Sequence, residues 1–122
     1  MGKYVIKKTK TGFNFYLLAS NNQPIGTSEV YSSKPSCLNG IKSVKNSAEK
    51  ALIEDNTLLK PIPQKKPKFE IYFDKKKEYR FRLIASNGEN ILASEGYKSK
   101  SSCKNGIKSV KTNSKSETVD LT

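Results

Sequence analysis

The feature that most constrains this 122-residue chain is an internal duplication. At an offset of 66, residues 14–45 align with residues 80–111, and 20 of the 32 positions are identical. The match ends in Asn39-Gly40-Ile41-Lys42-Ser43-Val44-Lys45 against Asn105-Gly106-Ile107-Lys108-Ser109-Val110-Lys111. Upstream, Tyr4-Val5-Ile6 aligns with Phe69-Glu70-Ile71 at an offset of 65, which puts the length change in the first turn, where it costs least. The copies span 4–55 and 69–121, within a first repeat at 1–59, a linker at 60–67 and a second repeat at 68–122. A lone unit leaves its last strand and a sheet edge unpaired, so the two copies are expected to fold as one pseudo-two-fold domain. The linker, Lys60-Pro61-Ile62-Pro63-Gln64-Lys65-Lys66-Pro67, has the proline content of a semi-rigid spacer.

Within each copy the apolar period is first two, then that of a helix. Phe13, Phe15, Leu17 and Ala19 alternate with Asn14, Tyr16, Leu18 and Ser20, and Tyr79, Phe81, Leu83 and Ala85 do the same in copy two, as half-buried antiparallel strands do. Asn87-Gly88 suits a tight hairpin, and Asn21-Asn22 suits it less well. The chain returns as a strand over Ile25–Val30 and Ile91–Glu95. Cys37, Ile41, Val44 and Ala48 then mark one helical face, repeated by Cys103, Ile107 and Val110. Ser33 and Ser99 are placed as N-caps, with Pro35 acceptable in the first turn. Gly40 and Gly106 sit inside the helices at a cost of about 1 kcal/mol each, which implies close approach of helix to sheet. A short strand-like piece closes each copy, at Ala51–Glu54 and Glu117–Asp120.

The ordered motifs resemble the YegP-like family. They are Phe81-Arg82-Leu83-Ile84-Ala85-Ser86-Asn87-Gly88, Ser94-Glu95-Gly96-Tyr97-Lys98-Ser99-Lys100 and Asn105-Gly106-Ile107-Lys108-Ser109-Val110, with Ser28-Glu29-Val30-Tyr31-Ser32-Ser33-Lys34 in copy one. The resemblance covers nearly the whole chain apart from the linker. It implies an α+β fold in which two tandem β(3)-α-β repeats share one antiparallel sheet, with the helices on one face and the last strands exchanged between repeats. It implies no catalytic residues, because the family is one of unknown function. Its helix usually carries Ala where this chain has Cys37 and Cys103, which favours packing over redox chemistry.

Chemistry is narrowed by what is missing from the sequence. There is no histidine, which excludes Ser-His-Asp, Cys-His and His-metal sites, and no P-loop or GxGxxG stretch occurs. No cofactor or metal is expected. Two cysteines, neither in a CxxC pair, read as small buried residues. Glu29 and Glu95 recur at matching positions, as an acid pair, as partners of Lys34 and Lys100, or as residues that hold the strand-to-helix corner, with Tyr31 and Tyr97 packing the same corners.

A net charge of +12, from 23 basic and 11 acidic residues, attracts anionic partners, though a solvated lysine surface looks the same. If the helices cover Phe15 and Phe81, the other sheet face shows Val5, Lys7, Tyr16 and Leu18, then Glu70, Tyr72, Arg80, Arg82 and Ile84. Lys7, Tyr16, Tyr72, Arg80 and Arg82 therefore form the candidate ligand face, suited to single-stranded nucleic acid. The first expectation is a non-enzymatic binding or interaction module, monomeric, with no partner fixed by the sequence and nucleic acid or an acidic protein as candidates. The alternative is single-stranded nucleic-acid binding through that open face. An enzyme using Glu29 and Glu95 is a third reading. No run of residues is apolar enough for a signal peptide or a membrane span, and Ile6 stands where myristoylation needs Ser or Thr, so a cytoplasmic address is the default.

Overall fold

The computed structural model describes residues 2–122; Met1, the first residue of repeat 1, lies outside the described residues. Each repeat folds as three strands, a helix and a fourth strand. The first has β1 (Lys3–Lys8), β2 (Phe13–Leu18), β3 (Pro24–Thr27), α1 (Lys34–Ser47) and β4 (Leu52–Asp55). The second has β5 (Lys68–Phe73), β6 (Tyr79–Ile84), β7 (Asn90–Ala93), α2 (Lys100–Asn113) and β8 (Glu117–Asp120). All eight strands form one sheet in the order β4-β5-β6-β7-β3-β2-β1-β8. The last strand of each repeat thus joins the first strand of the other, and the repeats meet where Thr27 faces Ala93.

The sheet is mixed rather than purely antiparallel. Its six inner strands are antiparallel, but β4 runs parallel to β5 and β8 parallel to β1. The exchange is the reason. After its helix β4 runs antiparallel to β3 and therefore parallel to β5. The 12-residue connection 56–67 carries the chain back so that β5 can start beside it in the same direction, which a hairpin could not do.

The third strands stop earlier than the alternation predicts. Ser28 Oγ accepts the Phe15 N–H at 2.9 Å and Ser94 Oγ accepts the Phe81 N–H at 2.9 Å, so side chains take over bonds the ladder would otherwise make. Pairing resumes at Tyr31 with Phe13 and at Tyr97 with Tyr79. Two residues, Glu29 and Val30, therefore face the single Asn14, which is a bulge, and Glu95 and Gly96 face Arg80 in the same way. In the hairpins Asn22 takes φ 65° where Gly88 takes 87°, so asparagine fills the left-handed position in the first copy.

The helices lie on one face, α1 over β2 and the other repeat's β7, α2 over β6 and β3. Ser33 and Ser99 cap them, accepting from the Ser36 and Ser102 N–H groups at 3.2 and 3.1 Å. Gly40 and Gly106 admit the closest approach: a methyl on Gly40 would lie 2.7 Å from Tyr31 Cζ and 3.1 Å from Phe15, and one on Gly106 2.9 Å from Tyr97 Cζ. Those tyrosines stack on Phe15 and Phe81 at 6.3 Å. The core beneath joins both repeats, with Tyr4, Ile6, Phe15 and Leu17 beside Phe69, Ile71, Phe81 and Leu83.

Cys37 and Cys103 are free thiols with no exposed surface. Burial, and then the charge of Asp55, push the Cys103 thiol up to about 11; burial and Asp120 raise Cys37 as well. Thiolate is the reactive form. Labelling of the native chain at neutral pH should therefore be slow at both sites and become fast on unfolding. Rapid native-state labelling of either cysteine would contradict this packing.

Candidate functional site

The repeated polar corners are cross-repeat latches. Lys34 does not pair with Glu29, nor Lys100 with Glu95. Lys34 Nζ bridges to Asp120 at 2.9 Å and Lys100 Nζ to Asp55 at 2.7 Å, so each helix start is tied to the last strand of the other repeat. The expected local pairing fails because the exchange brings a carboxylate from the other copy to each lysine. Asp55 and Asp120 went unsingled in the sequence because they match at offset 65, outside the block aligned at 66. The Asp120 carboxyl is held down at about 2 by the Thr122 hydroxyl and N–H and then by Lys34. At Asp55, burial works to raise the carboxyl, but the bonds from Lys100 and Thr57 outweigh it and leave it low. Tyr31 and Tyr97 pack under the helices, and burial raises both phenols.

Glu29 and Glu95 are thrown out by the bulges and stay exposed. Both line one shallow depression of about 330 Å³ over the junction of the repeats, together with Thr27, Ala93, Asn90 and Arg80. The two recurring glutamates thus share one surface.

The candidate ligand face divides into two clusters. In the first repeat, Lys7 Nζ lies 5.1 Å from the Tyr16 ring centre, beside Val5, Leu18 and Pro24, in a depression of about 340 Å³. Three strands away, Arg82 covers the Tyr72 ring at 4.7 Å. Its guanidinium is already held by Glu70 at 2.7 Å, and Arg80 by Asp74 at 2.7 Å. Lys68 completes a chain of charges, 2.9 Å from Glu54 and 3.2 Å from Glu70. The Gln64 N–H and then Lys68 keep the Glu54 carboxyl low, and Arg80, then the Glu78 N–H, do the same for Asp74. The two arginines thus serve each strand's neighbour first.

The helix layer is different. Neither helix contains an acidic residue, and Lys42, Lys45, Lys104, Lys108 and Lys111 project from it, followed by Lys50 and Lys115. Among the described residues, none of these seven makes a salt bridge. The sequence carried this signal, since two 14-residue helices without one carboxylate are visible by reading. Among the described residues no group of three or more Cys, Asp or Glu is placed to hold a metal ion, and no helix is long and apolar enough to cross a membrane.

Comparison with known proteins fits this architecture. A domain of unknown function, DUF1508, matches residues 9–55 and again 74–120. The UPF0339 protein YegP of Yersinia pestis is 40% identical over 124 residues, covering 100% of this chain and 97% of its own length. The UPF0339 protein Atu0232 of Agrobacterium fabrum is 61% identical over 56 residues, which are 45% of this chain but 90% of that protein, so it is little longer than one repeat. The solution structure of the protein of unknown function yegP from E. coli superposes with a TM-score of 0.79 at 30% identity, covering 98% of this chain and 92% of that one. With both repeats matched by the family model and a relative aligned end to end, this chain belongs to the DUF1508 (UPF0339, YegP-like) family, whose function is unknown.

Proposed function

We propose that this chain is a non-enzymatic binding module for anionic partners, working as a monomer in a cytoplasmic setting. One observation carries the reading. Carboxylates neutralise Lys68, Arg80 and Arg82 on the sheet face and Lys34 and Lys100 at the helix starts, while, among the described residues, Lys7 and the seven lysines further along and just after the helices have none. Uncompensated charge of one sign raises the local concentration of oppositely charged partners. Binding of the intact chain to polyglutamate, a single-stranded oligonucleotide and a duplex should be measured at about 50 and 200 mM salt. At least one polyanion is expected to bind, with an affinity that drops steeply with salt. Binding to none of them at the lower salt would end the reading.

Single-stranded nucleic acid on the open sheet face is weaker on this geometry, because Arg80 and Arg82 would have to leave Asp74 and Glu70 to reach a phosphate. The enzyme reading has one observation in its favour, the shared depression of Glu29 and Glu95 with Arg80. Both glutamates are exposed to water there, whereas a catalytic acid is usually tuned by burial or a close partner.

A further inference from the structure

Building on the reading of the chain as a binder of anionic partners, we infer that the outer surface of the helix layer docks on the sugar-phosphate backbone of a nucleic-acid duplex without reading its sequence, with Lys42, Lys104 and Lys108 as principal contacts. Lys104, Lys108, Lys111 and Lys115 lie at i, i+4, i+7 and i+11, along one flank of α2 and its continuation. Like charges three and four apart on a helix repel, so the stripe costs stability in the free chain and gains from a counter-charge. The equivalent positions on α1 are Leu38, Lys42, Lys45 and Glu49, so the stripe is complete only in the second repeat. It is about 16 Å long, enough to run beside roughly five successive phosphates of one strand.

The far end of the stripe is fixed. Lys111 Nζ donates to the Ala51 carbonyl at 2.7 Å, just before β4, and Lys115 Nζ to the Lys45 carbonyl at 2.9 Å, in the last turn of α1, where helix carbonyls lack intrahelical partners. Lys42, Lys104 and Lys108 are exposed and, among the described residues, have no hydrogen-bonded or ionic partner.

The chemistry around the lysines selects the partner class. Apart from Pro35 and Leu38, every exposed side chain on the two helices is Lys, Ser, Asn or Thr. Those residue types supply many of the protein's contacts to phosphate in duplex complexes. A protein partner would be expected to use aromatic or Arg anchors, and lysine is depleted at such interfaces. A membrane would need the apolar stripe of Cys103, Ile107 and Val110, which is buried on the sheet. A single strand would need rings to stack on, and Tyr31 and Tyr97 are already stacked on Phe15 and Phe81.

The test uses the full chain, a labelled duplex of about 20 base pairs and the single strand of the same sequence, titrated across a salt series. With the three free lysines each neutralising one phosphate, the duplex should give a log–log salt slope of about −3, at about −0.9 per phosphate, and a second duplex of scrambled sequence should bind equally. The triple variant K42Q/K104Q/K108Q should lose most of that slope. A charge-matched control, K75Q/K76Q/K77Q in the β5–β6 turn, should keep most of it. Unfolding curves for both variants establish that each is folded. Tighter binding to the single strand, an equal loss in the control, or binding of polyglutamate in place of the duplex would overturn the inference while leaving the anionic-partner reading standing. Binding of no polyanion at all would remove both.

Discussion

Ile107→Ala is expected to lower the free energy of unfolding by about 2–5 kcal/mol, and Ile41→Ala by a similar amount. The two side chains are 1% and 3% exposed, and each sits in the middle of its helix's buried face, among Cys103 and Val110 in one case and Cys37 and Val44 in the other. Truncation removes three carbon atoms from contact with the sheet and leaves a cavity. The helix can close that cavity only by sinking further toward the sheet. At Gly40 and Gly106 the tyrosine rings are already at the limit of approach, so collapse is blocked and the cost should fall in the upper half of the range. Because the core runs through both repeats, each variant should still unfold in a single transition, with a lower denaturant midpoint and an unchanged slope. Unchanged midpoints in both variants would mean that the helix faces are wrongly assigned. Two separate transitions would mean that the repeats do not share a core.

Much of this fold was legible because its signals are local. Alternation placed Phe15 and Phe81 inward, the i, i+4, i+7 spacing placed Ile41 and Ile107, and Ser33 and Ser99 marked where the helices begin. The glycines announced a close approach before the rings they touch were known. The third strands were drawn too long because alternation cannot see a serine hydroxyl replacing a ladder bond, as Ser28 and Ser94 do. The corner lysines were given the wrong partners because nearness in sequence stood in for nearness in space. Their true partners arrive on exchanged strands, 86 residues away for Lys34 and 45 for Lys100.

The open face follows the same lesson. Arg80 and Arg82 were read as two aligned cations, correctly placed on one face. Their neutralisation by Asp74 and Glu70 depends on the β5–β6 pairing, in which Glu70 lies directly opposite Arg82. Charge read strand by strand therefore overstated the attraction of that surface for anions. The helix layer was understated for the opposite reason. Its lysines are spread over two distant segments of sequence, and only the fold sets them on one side of the molecule.

The central claim is that neither repeat is a complete folding unit. Among the described residues β4 pairs with β5 alone, and β8 with β1 alone; the Lys34–Asp120 and Lys100–Asp55 bridges and the Tyr4 hydroxyl bond to the Ser114 carbonyl also cross between repeats. The most direct measurement is sedimentation equilibrium, with thermal unfolding, of residues 1–60 made alone. The repeat is expected to be unfolded as a monomer, or folded only as a dimer that re-creates the exchange with a second copy, so that its melting temperature rises with concentration. A folded monomer of residues 1–60 with a cooperative, concentration-independent transition would contradict the account.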